Sequence, residues 1–187
     1  MDLSYDWTRH HARTDKTPSI FTRYAITTRL LCPKVAIDFG CGNFRNTKFL
    51  LEQGFERVAG IDPQPYGEVP LGAELHRQRA QDYVPEICEF DFVLADAVLP
   101  FLDFADVCTV VENVRRGLLP GGTFAFNVLG TEARWKTPGD RPFYFTLRRE
   151  EIDSLIDGFT MAFIKEYRQD NFVDRCIHKY EIILHRN

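Results

Sequence analysis

Residues 35–42, with the sequence VAIDFGCG, constrain the fold of this chain more than any other segment. An apolar run that suits a buried strand leads directly into a glycine-rich turn, and the run carries one acidic side chain, Asp38. Residues 46–53 follow with a helix-compatible pattern. A strand, a glycine turn and a helix in this order let the backbone approach a ligand closely and aim free N–H groups at anionic atoms.

A second apolar strand is expected at residues 57–61, and it leads into Asp62. This carboxylate follows Gly42 by 62 − 42 = 20 residues. Nucleotide-binding folds place the acid that holds the ribose hydroxyls at about this spacing. The two strands therefore predict a site for an adenosine-containing cofactor, with Gly40 and Gly42 in contact with it.

The rest of the chain alternates between strand and helix patterns, which is typical of a parallel α/β sheet. Three prolines within residues 62–70 argue against an uninterrupted helix there. The last two strand patterns have no helix between them, so their pairing is expected to be antiparallel. Strands are expected at residues 35–39, 57–61, 74–79, 90–95, 123–129, 160–167 and 176–185, and helices at 17–31, 46–53, 104–118 and 148–157.

These patterns predict one Rossmann-like α/β domain over residues 1–187, with a mostly parallel seven-stranded sheet, an antiparallel last strand and helices on both faces. Residues 1–33 are expected to form an N-terminal lid segment and helix, and residues 34–187 the α/β core. The net charge of −4 provides no field that would attract nucleic acid or a membrane. Five scattered cysteines form no C-x-x-C pair, so we expect no disulfide framework, no metal site and a reduced, cytoplasmic protein, either monomer or homodimer.

The identity of the cofactor depends on Arg45. A dinucleotide-binding turn has a third glycine at this position for close packing of helix and strand, and a large cation weakens the NAD interpretation. S-adenosylmethionine (SAM) has no pyrophosphate but has an amino-acid end. Asp38 suits its ammonium group, and the amides of the turn suit its carboxylate.

At these residues the chain resembles the class I SAM-dependent methyltransferases. Residues 38–42 look like their first motif, residues 90–96 like their fourth, and residues 119–124 like their turn into the fifth strand. The resemblance covers most of residues 34–186, while the proline-rich segment departs from the helix found in the family, which implies a rebuilt adenine side. It implies that the cofactor is bound by Asp38, Gly40, Cys41, Gly42, Asn43, Asp62, Pro63, Gln81, Asp82, Tyr83 and Asp96. Residues 40–47 are also similar to the tellurite-resistance branch, which resembles the thiopurine methyltransferases.

Two residues are candidates for catalysis. Asp96 follows the fourth strand, where it could accept a proton or bind the cofactor, and capping the next loop is the alternative. His178 lies on the last strand, where a structural histidine is the alternative. The loop after the fifth strand is expected to bind the substrate through Arg134, Trp135, Arg141 and Tyr144. His10 and His11, beside Tyr5 and Trp7, are interpreted as a lid over the pocket, with a disordered tail as the alternative.

Methyl transfer from SAM to a small-molecule acceptor is therefore the leading hypothesis. The scarcity of bases and the arginine-bearing loop favour a soft or anionic acceptor, because a soft nucleophile needs no strong general base. An NAD(P)-dependent oxidoreductase is the enzyme alternative, against which Arg45 and the final strand pair argue. A catalytically silent SAM-binding module that binds a protein partner is the third hypothesis. A macromolecule-methylating enzyme is a further alternative, against which we count that so short a chain is expected to have neither an extra recognition domain nor a basic face.

Overall fold

A computed structural model describes residues 17–135, 146–172 and 175–187 of the chain. Within these residues one sheet is flanked by helices on both faces. The helices are α1 (Ile20–Thr27), α2 (Arg45–Glu52), α3 (Phe104–Gly117) and α4 (Arg149–Leu155), with 3₁₀ turns at Ala80–Asp82 and Leu99–Phe101. The strands are β1 (Val35–Phe39), β2 (Arg57–Ile61), β3 (Ala73–His76), β4 (Phe90–Ala95), β5 (Leu118–Leu129), β6 (Arg134–Trp135), β7 (Phe159–Phe172) and β8 (Arg175–Arg186).

The sheet has the strand order β3-β2-β1-β4-β5-β8, and β7 and the two-residue β6 both pair with β8. Strands β1 to β5 are parallel wherever they pair. Strand β8 runs antiparallel to β5, β6 and β7. Seven principal strands with one antiparallel strand confirm the predicted fold class, and β6 is a short addition to it.

The largest differences between the observed and the expected element boundaries are at three element ends. Helix α1 ends at Thr27, four residues early, and Thr28 caps it. Strand β5 begins at Leu118, because Leu118 already pairs with Phe90 of β4. The proline–glycine segment that was expected to be a turn lies in the register shift between this pair and the pair of Thr123 with Phe92. Strand β7 continues to Phe172, since β8 offers a pairing partner along its whole length. No helix interrupts residues 62–72, as the prolines predicted.

Two buried clusters lie on opposite faces of the sheet, because successive residues of a strand point to opposite sides. One cluster joins α1 and α2 to Phe92, Leu94, Ala125 and Ile183, and we call this side of the sheet the α1 face. The other joins α3 and α4 to residues such as Val93, Phe124 and Ile182. Within the described residues, no helix has both the length and the apolar composition needed to cross a bilayer.

Leu50 of α2 tests the packing of the α1 face. Its side chain is fully buried, and Leu71 is fully exposed. We expect Leu50→Ala to lower the free energy of unfolding by about 2–5 kcal/mol, because it leaves a cavity, whereas Leu71→Ala should change it by less than about 0.5 kcal/mol. Urea denaturation measures both, and equal effects of the two substitutions would contradict this packing.

Candidate functional site

The glycine turn after β1 lies at the carboxyl ends of β1, β2 and β4. Gly40 has φ +66° and Gly42 has φ +48°. A Cβ atom at Gly40 would lie 2.4 Å from Cγ2 of Val98, so this position excludes any side chain. Phe44, with φ +62°, precedes α2 and provides no side-chain cap. The turn therefore presents bare backbone at the edge where open α/β sheets bind ligands.

Asp38 lies near the end of β1 and is completely buried. Its Oδ2 accepts a hydrogen bond of 2.6 Å from the hydroxyl of Thr47 on α2. Its Oδ1 is buried and finds no donor among the described residues. Burial, with a smaller contribution from the nearby carboxylates of Asp96 and Asp62, raises the pKa of Asp38 to about 7. A buried oxygen without a donor is unfavourable unless a proton or a ligand satisfies it.

Asp62 connects the tip of β2 to the glycine turn. Its Oδ2 accepts from the backbone N–H of Gly42 at 3.0 Å, and its Oδ1 accepts from that of Gln64 at 2.7 Å. The N–H of Tyr66 donates to the carbonyl of Gly42 at 2.9 Å, so the proline-rich segment folds against the turn. Each carboxylate oxygen of Asp62 has a second lone pair, which can accept from a ligand hydroxyl. Pro63, the next residue, is half-buried.

Cys41 and Asn43 have local roles within the same turn. The thiol of Cys41 is buried, and burial raises its pKa far above the usual range. Its Sγ would lie 3.0 Å from a Cβ atom at Gly60, so Gly60 lets the turn pack onto β2. The side-chain oxygen of Asn43 accepts from the N–H of Arg45 at 3.3 Å.

The 3₁₀ turn after β3 carries the residues expected at the adenine. Gln81 is buried; its Nε2 donates to Asp106 of α3 at 2.8 Å, and its Oε1 finds no donor among the described residues. Tyr83 is buried edge-on against Phe39, with ring centroids 6.1 Å apart, and burial raises its pKa to about 12. The side chain of Asp82 is exposed to solvent. The turn thus places Gln81 and Tyr83 inside the fold and Asp82 at its surface.

Asp96, which follows β4, joins several parts of the chain. Its Oδ2 accepts from the hydroxyls of Ser19 at 2.8 Å and Thr22 at 3.0 Å. Arg45 contributes an ion pair of 3.6 Å to the same oxygen. Oδ1 accepts from Nδ2 of Asn127 at 2.7 Å. Both oxygens are thus engaged, and Asp96 fastens the start of α1 to the tips of β4 and β5.

Ser19, Thr22 and Asn127 were missed by the sequence reasoning. Ser19 is also the N-cap of α1, since its hydroxyl accepts from the N–H of Thr22 at 3.0 Å. This capping role was the only sequence signal, and it indicates a helix start but not the partner 77 residues away.

His178 is buried, with both ring nitrogens engaged. Its Nδ1 accepts from the N–H of Glu132 at 3.0 Å, so its Nε2 carries the proton and donates to Glu166 at 3.1 Å. A Cβ atom at Gly130 would lie 2.2 Å from the ring. The ring therefore ties the end of β5 to β7 and β8, which fits the structural alternative for this histidine.

Several expected site residues cannot be placed. Arg134 and Trp135 form β6 through their backbone, opposite Cys176 and Arg175 of β8. The side chains of these two residues lie outside the described part of the structure. The same holds for both the backbone and the side chains of Tyr5, Trp7, His10, His11, Arg141 and Tyr144. Among the described residues, no group of three or more His, Cys, Asp or Glu side chains could hold a metal ion.

The buried carboxyl of Asp38 predicts a pH-dependent stability. Because its folded-state pKa lies above the ordinary value, the folded protein retains the proton longer than the unfolded chain, and stability falls as pH rises from about 4 to about 7. We expect Asp38→Asn to remove this contribution, whose slope is at most about 1.4 kcal/mol per pH unit. Urea denaturation of both proteins between pH 4 and 8 measures the difference, and the exposed Asp157→Asn variant is the control. A difference that is constant with pH would contradict the assignment.

The network around Asp96 predicts that this residue holds α1 in place. In Asp96→Asn, an NH₂ group replaces one carboxylate oxygen. The donors that faced this oxygen, which are hydroxyl and guanidinium groups on one side and the amide of Asn127 on the other, then lose their acceptor. Hydrogen bonds to charged groups contribute about 1.5–3 kcal/mol each, so we expect faster amide exchange in Ile20–Thr27. Hydrogen–deuterium exchange measures it, with α4 as the internal reference. Unchanged exchange in α1 would show that packing alone holds the helix.

One family model matches the sequence, described as a methyltransferase domain and covering residues 37–126. The matched region runs from β1 into β5 and includes the glycine turn, Asp62 and Asp96. No curated protein matches the sequence significantly.

Solved structures of SAM-dependent methyltransferases share this fold. TehB from Haemophilus influenzae has a TM-score of 0.71 at 16% identity, over 97% of this chain and 67% of that one. The 1,6-didemethyltoxoflavin-N1-methyltransferase of Burkholderia thailandensis, with 1,6-didemethyltoxoflavin and S-adenosylhomocysteine bound, has a TM-score of 0.70 at 20% identity, over 95% of this chain and 83% of that one. A SAM-dependent methyltransferase from Methanosarcina mazei has 0.66 at 17% identity, over 86% and 96%.

The strand tips have the groups that SAM requires. The free oxygen of Asp38 suits a cationic ammonium, the glycine turn offers backbone without side chains, and Asp62 retains lone pairs for hydroxyl donors. Residues 37–126 thus match a methyltransferase domain, and the described residues share the fold of solved SAM-dependent methyltransferases.

Proposed function

We propose that this protein transfers the methyl group of SAM to a small-molecule acceptor. The observation that carries the proposal is the buried, unpartnered Oδ1 of Asp38 beside a turn that excludes side chains. A cationic ligand group next to this oxygen would favour its ionised form and remove the penalty of burial.

We assign each end of the cofactor to different elements. Asp38 binds the ammonium group, the backbone of Gly40, Cys41, Gly42 and Asn43 surrounds the amino-acid end, and Asp62 with Pro63 flanks the ribose. Gln81 is assigned to the adenine, because its buried Oε1 lacks a donor and an exocyclic amine provides one. Asp82 and Tyr83 are assigned to the same end by the family resemblance.

The bound cofactor supplies an electrophilic methyl group on a sulfonium with a neutral leaving group. The chain then has to hold the acceptor in line and exclude water. Asp96 serves this purpose as a positioning residue, since its oxygens already accept from Ser19, Thr22 and Asn127. His178 is assigned a structural role for the same reason.

With both base candidates engaged, an acceptor that needs no strong general base is favoured. Thiolates and other soft or anionic nucleophiles meet this condition. We assign contact with the acceptor to Arg134, Trp135, Arg141 and Tyr144. The similarity to TehB concerns the fold, so a tellurite-type acceptor is one member of this class. Release of S-adenosylhomocysteine in a panel of thiols, selenite, tellurite and aromatic amines would identify the acceptor.

Asp62 provides the direct test of cofactor binding. We expect Asp62→Ala to weaken SAM binding by about tenfold or more, because the substitution removes charged acceptors for two hydroxyls and loosens the turn at Gly42. Isothermal titration calorimetry measures the affinity.

Asp157→Ala is the matched control. It removes an exposed carboxylate two residues after the end of α4 and should bind SAM like the unmodified protein. Unchanged affinity in Asp62→Ala, or tighter binding of NAD than of SAM to the unmodified protein in equilibrium dialysis, would overturn the proposed function.

A further inference from the structure

A groove of about 540 Å³ lies between α1 and the β7–β8 hairpin. Sites for small molecules have volumes of about 300–1,000 Å³. Its walls include Ile20, Tyr24, Phe163, Lys165, Tyr167 and Lys179. None of these residues belongs to the cofactor site described above.

The register of the sheet places the groove next to Asp96. Asn127, which donates to Asp96, pairs with Glu181 of β8, and Glu181 pairs with Lys165 of β7. Paired residues of adjacent strands lie on the same face. This row lies on the α1 face. Ala125 precedes Asn127 by two residues and Ile183 follows Glu181 by two residues, so they point to the same side, and both belong to the buried cluster of the α1 face.

The groove also lies at the ligand-binding edge of the sheet. The next row beyond Asn127 towards that edge is Leu129, Lys179 and Tyr167. Leu129 is the last residue of β5, whose carboxyl end shares this edge with the tips of β1 and β4. Helix α1 forms the other wall, and its first turn is bound to Asp96. Helix α1 therefore borders the groove and is bound at its start to Asp96, beside which methyl transfer is proposed.

Aromatic rings dominate the walls of the groove. Tyr24 is 44% exposed, and its ring centroid lies 4.8 Å from that of Phe163 at 60°. The ring of Tyr167 lies 5.6 Å from Nζ of Lys179. Exposed aromatic faces and edges on both walls suit a planar ring, which can stack or lie edge-on against them.

The charges of the groove favour an anion. Lys179 is paired with Glu181 at 2.6 Å, so these two charges compensate each other. Lys165 makes no ion pair and no side-chain hydrogen bond in the part of the chain that the structure describes. One uncompensated ammonium beside aromatic surface gives the groove a net positive charge.

We propose that this groove binds the methyl acceptor, and that the acceptor is a planar aromatic molecule carrying a negative charge. This inference rests on the proposed function and names its substrate class. Tyr24 and Tyr167 contact the ring, and Lys165 contacts the anionic group.

The experiment uses two probes with the same ring and opposite charge, 2-naphthoate and 2-naphthylmethylammonium. Each is titrated into the full chain saturated with S-adenosylhomocysteine, and calorimetry measures the affinity. We expect naphthoate to bind with a stoichiometry of one and the ammonium probe to bind at least tenfold more weakly. Lys165→Gln should weaken naphthoate by about three- to tenfold, and Tyr24→Ala should weaken both probes.

Controls separate a lost contact from a lost fold. Tyr24→Phe retains the ring and should bind naphthoate like the unmodified protein. Lys48→Gln changes an exposed cation on α2 outside the groove and should have no effect. Thermal melts of each variant check folding.

Three results would overturn the inference. They are the absence of saturable naphthoate binding, an equal affinity of the unmodified protein for the two probes, and a naphthoate affinity of Lys165→Gln or Tyr24→Ala that equals that of the unmodified protein. Binding of SAM is measured on the same preparation. SAM binding without naphthoate binding overturns this inference and leaves the proposed function intact, whereas absence of SAM binding overturns the proposed function itself.

Discussion

The carboxylate of Asp96 is the interaction on which the arrangement of the site depends. It receives hydroxyls from the start of α1, an amide from β5 and a guanidinium from α2. A partly buried charge is stable only when such donors surround it. The requirement to satisfy one anion therefore fixes the positions of three elements around the tip of β4, where cofactor and acceptor have to meet.

The carboxylates of the proposed cofactor site differ in how many donors of the chain they find. Three carboxylates, Asp38, Asp62 and Asp96, lie close enough to influence one another, and Arg45 is the cation that opposes them. Asp62 and Asp96 are satisfied by donors of the chain, while Asp38 keeps one oxygen without a partner. Among these three carboxylates, the unpartnered oxygen therefore lies at the position where a cationic ligand group is proposed.

The two faces of the sheet differ in the residues that they contribute to the proposed sites. Helices α3 and α4 cover one face with an apolar core and carry no proposed site residue except the partner of Gln81. The α1 face combines an apolar base with a polar rim that runs from Asp96 through Asn127 to Lys165. This rim follows from the alternation of side chains along a strand. Residues two positions apart point to the same face, so Asn127, two residues after the buried Ala125, lies on the α1 face and closer to the edge of the sheet.

The sequence by itself determined the order of the elements, the glycine turn, the acid at the end of β2 and the antiparallel ending, because apolar periodicity and glycine or proline positions act over a few residues. Local pattern also predicted that residues 62–72 contain no helix. It left the functions of Asp96 and His178 open, since their partners lie between 12 and 77 residues away along the chain. Only the tertiary structure decided that Ser19, Thr22 and Asn127 surround Asp96, and that Tyr24 and Lys165 line one groove. Hydrogen-bond partners and groove walls are set by which strands become neighbours, and that choice is made by burial of the whole sheet and not by any single segment.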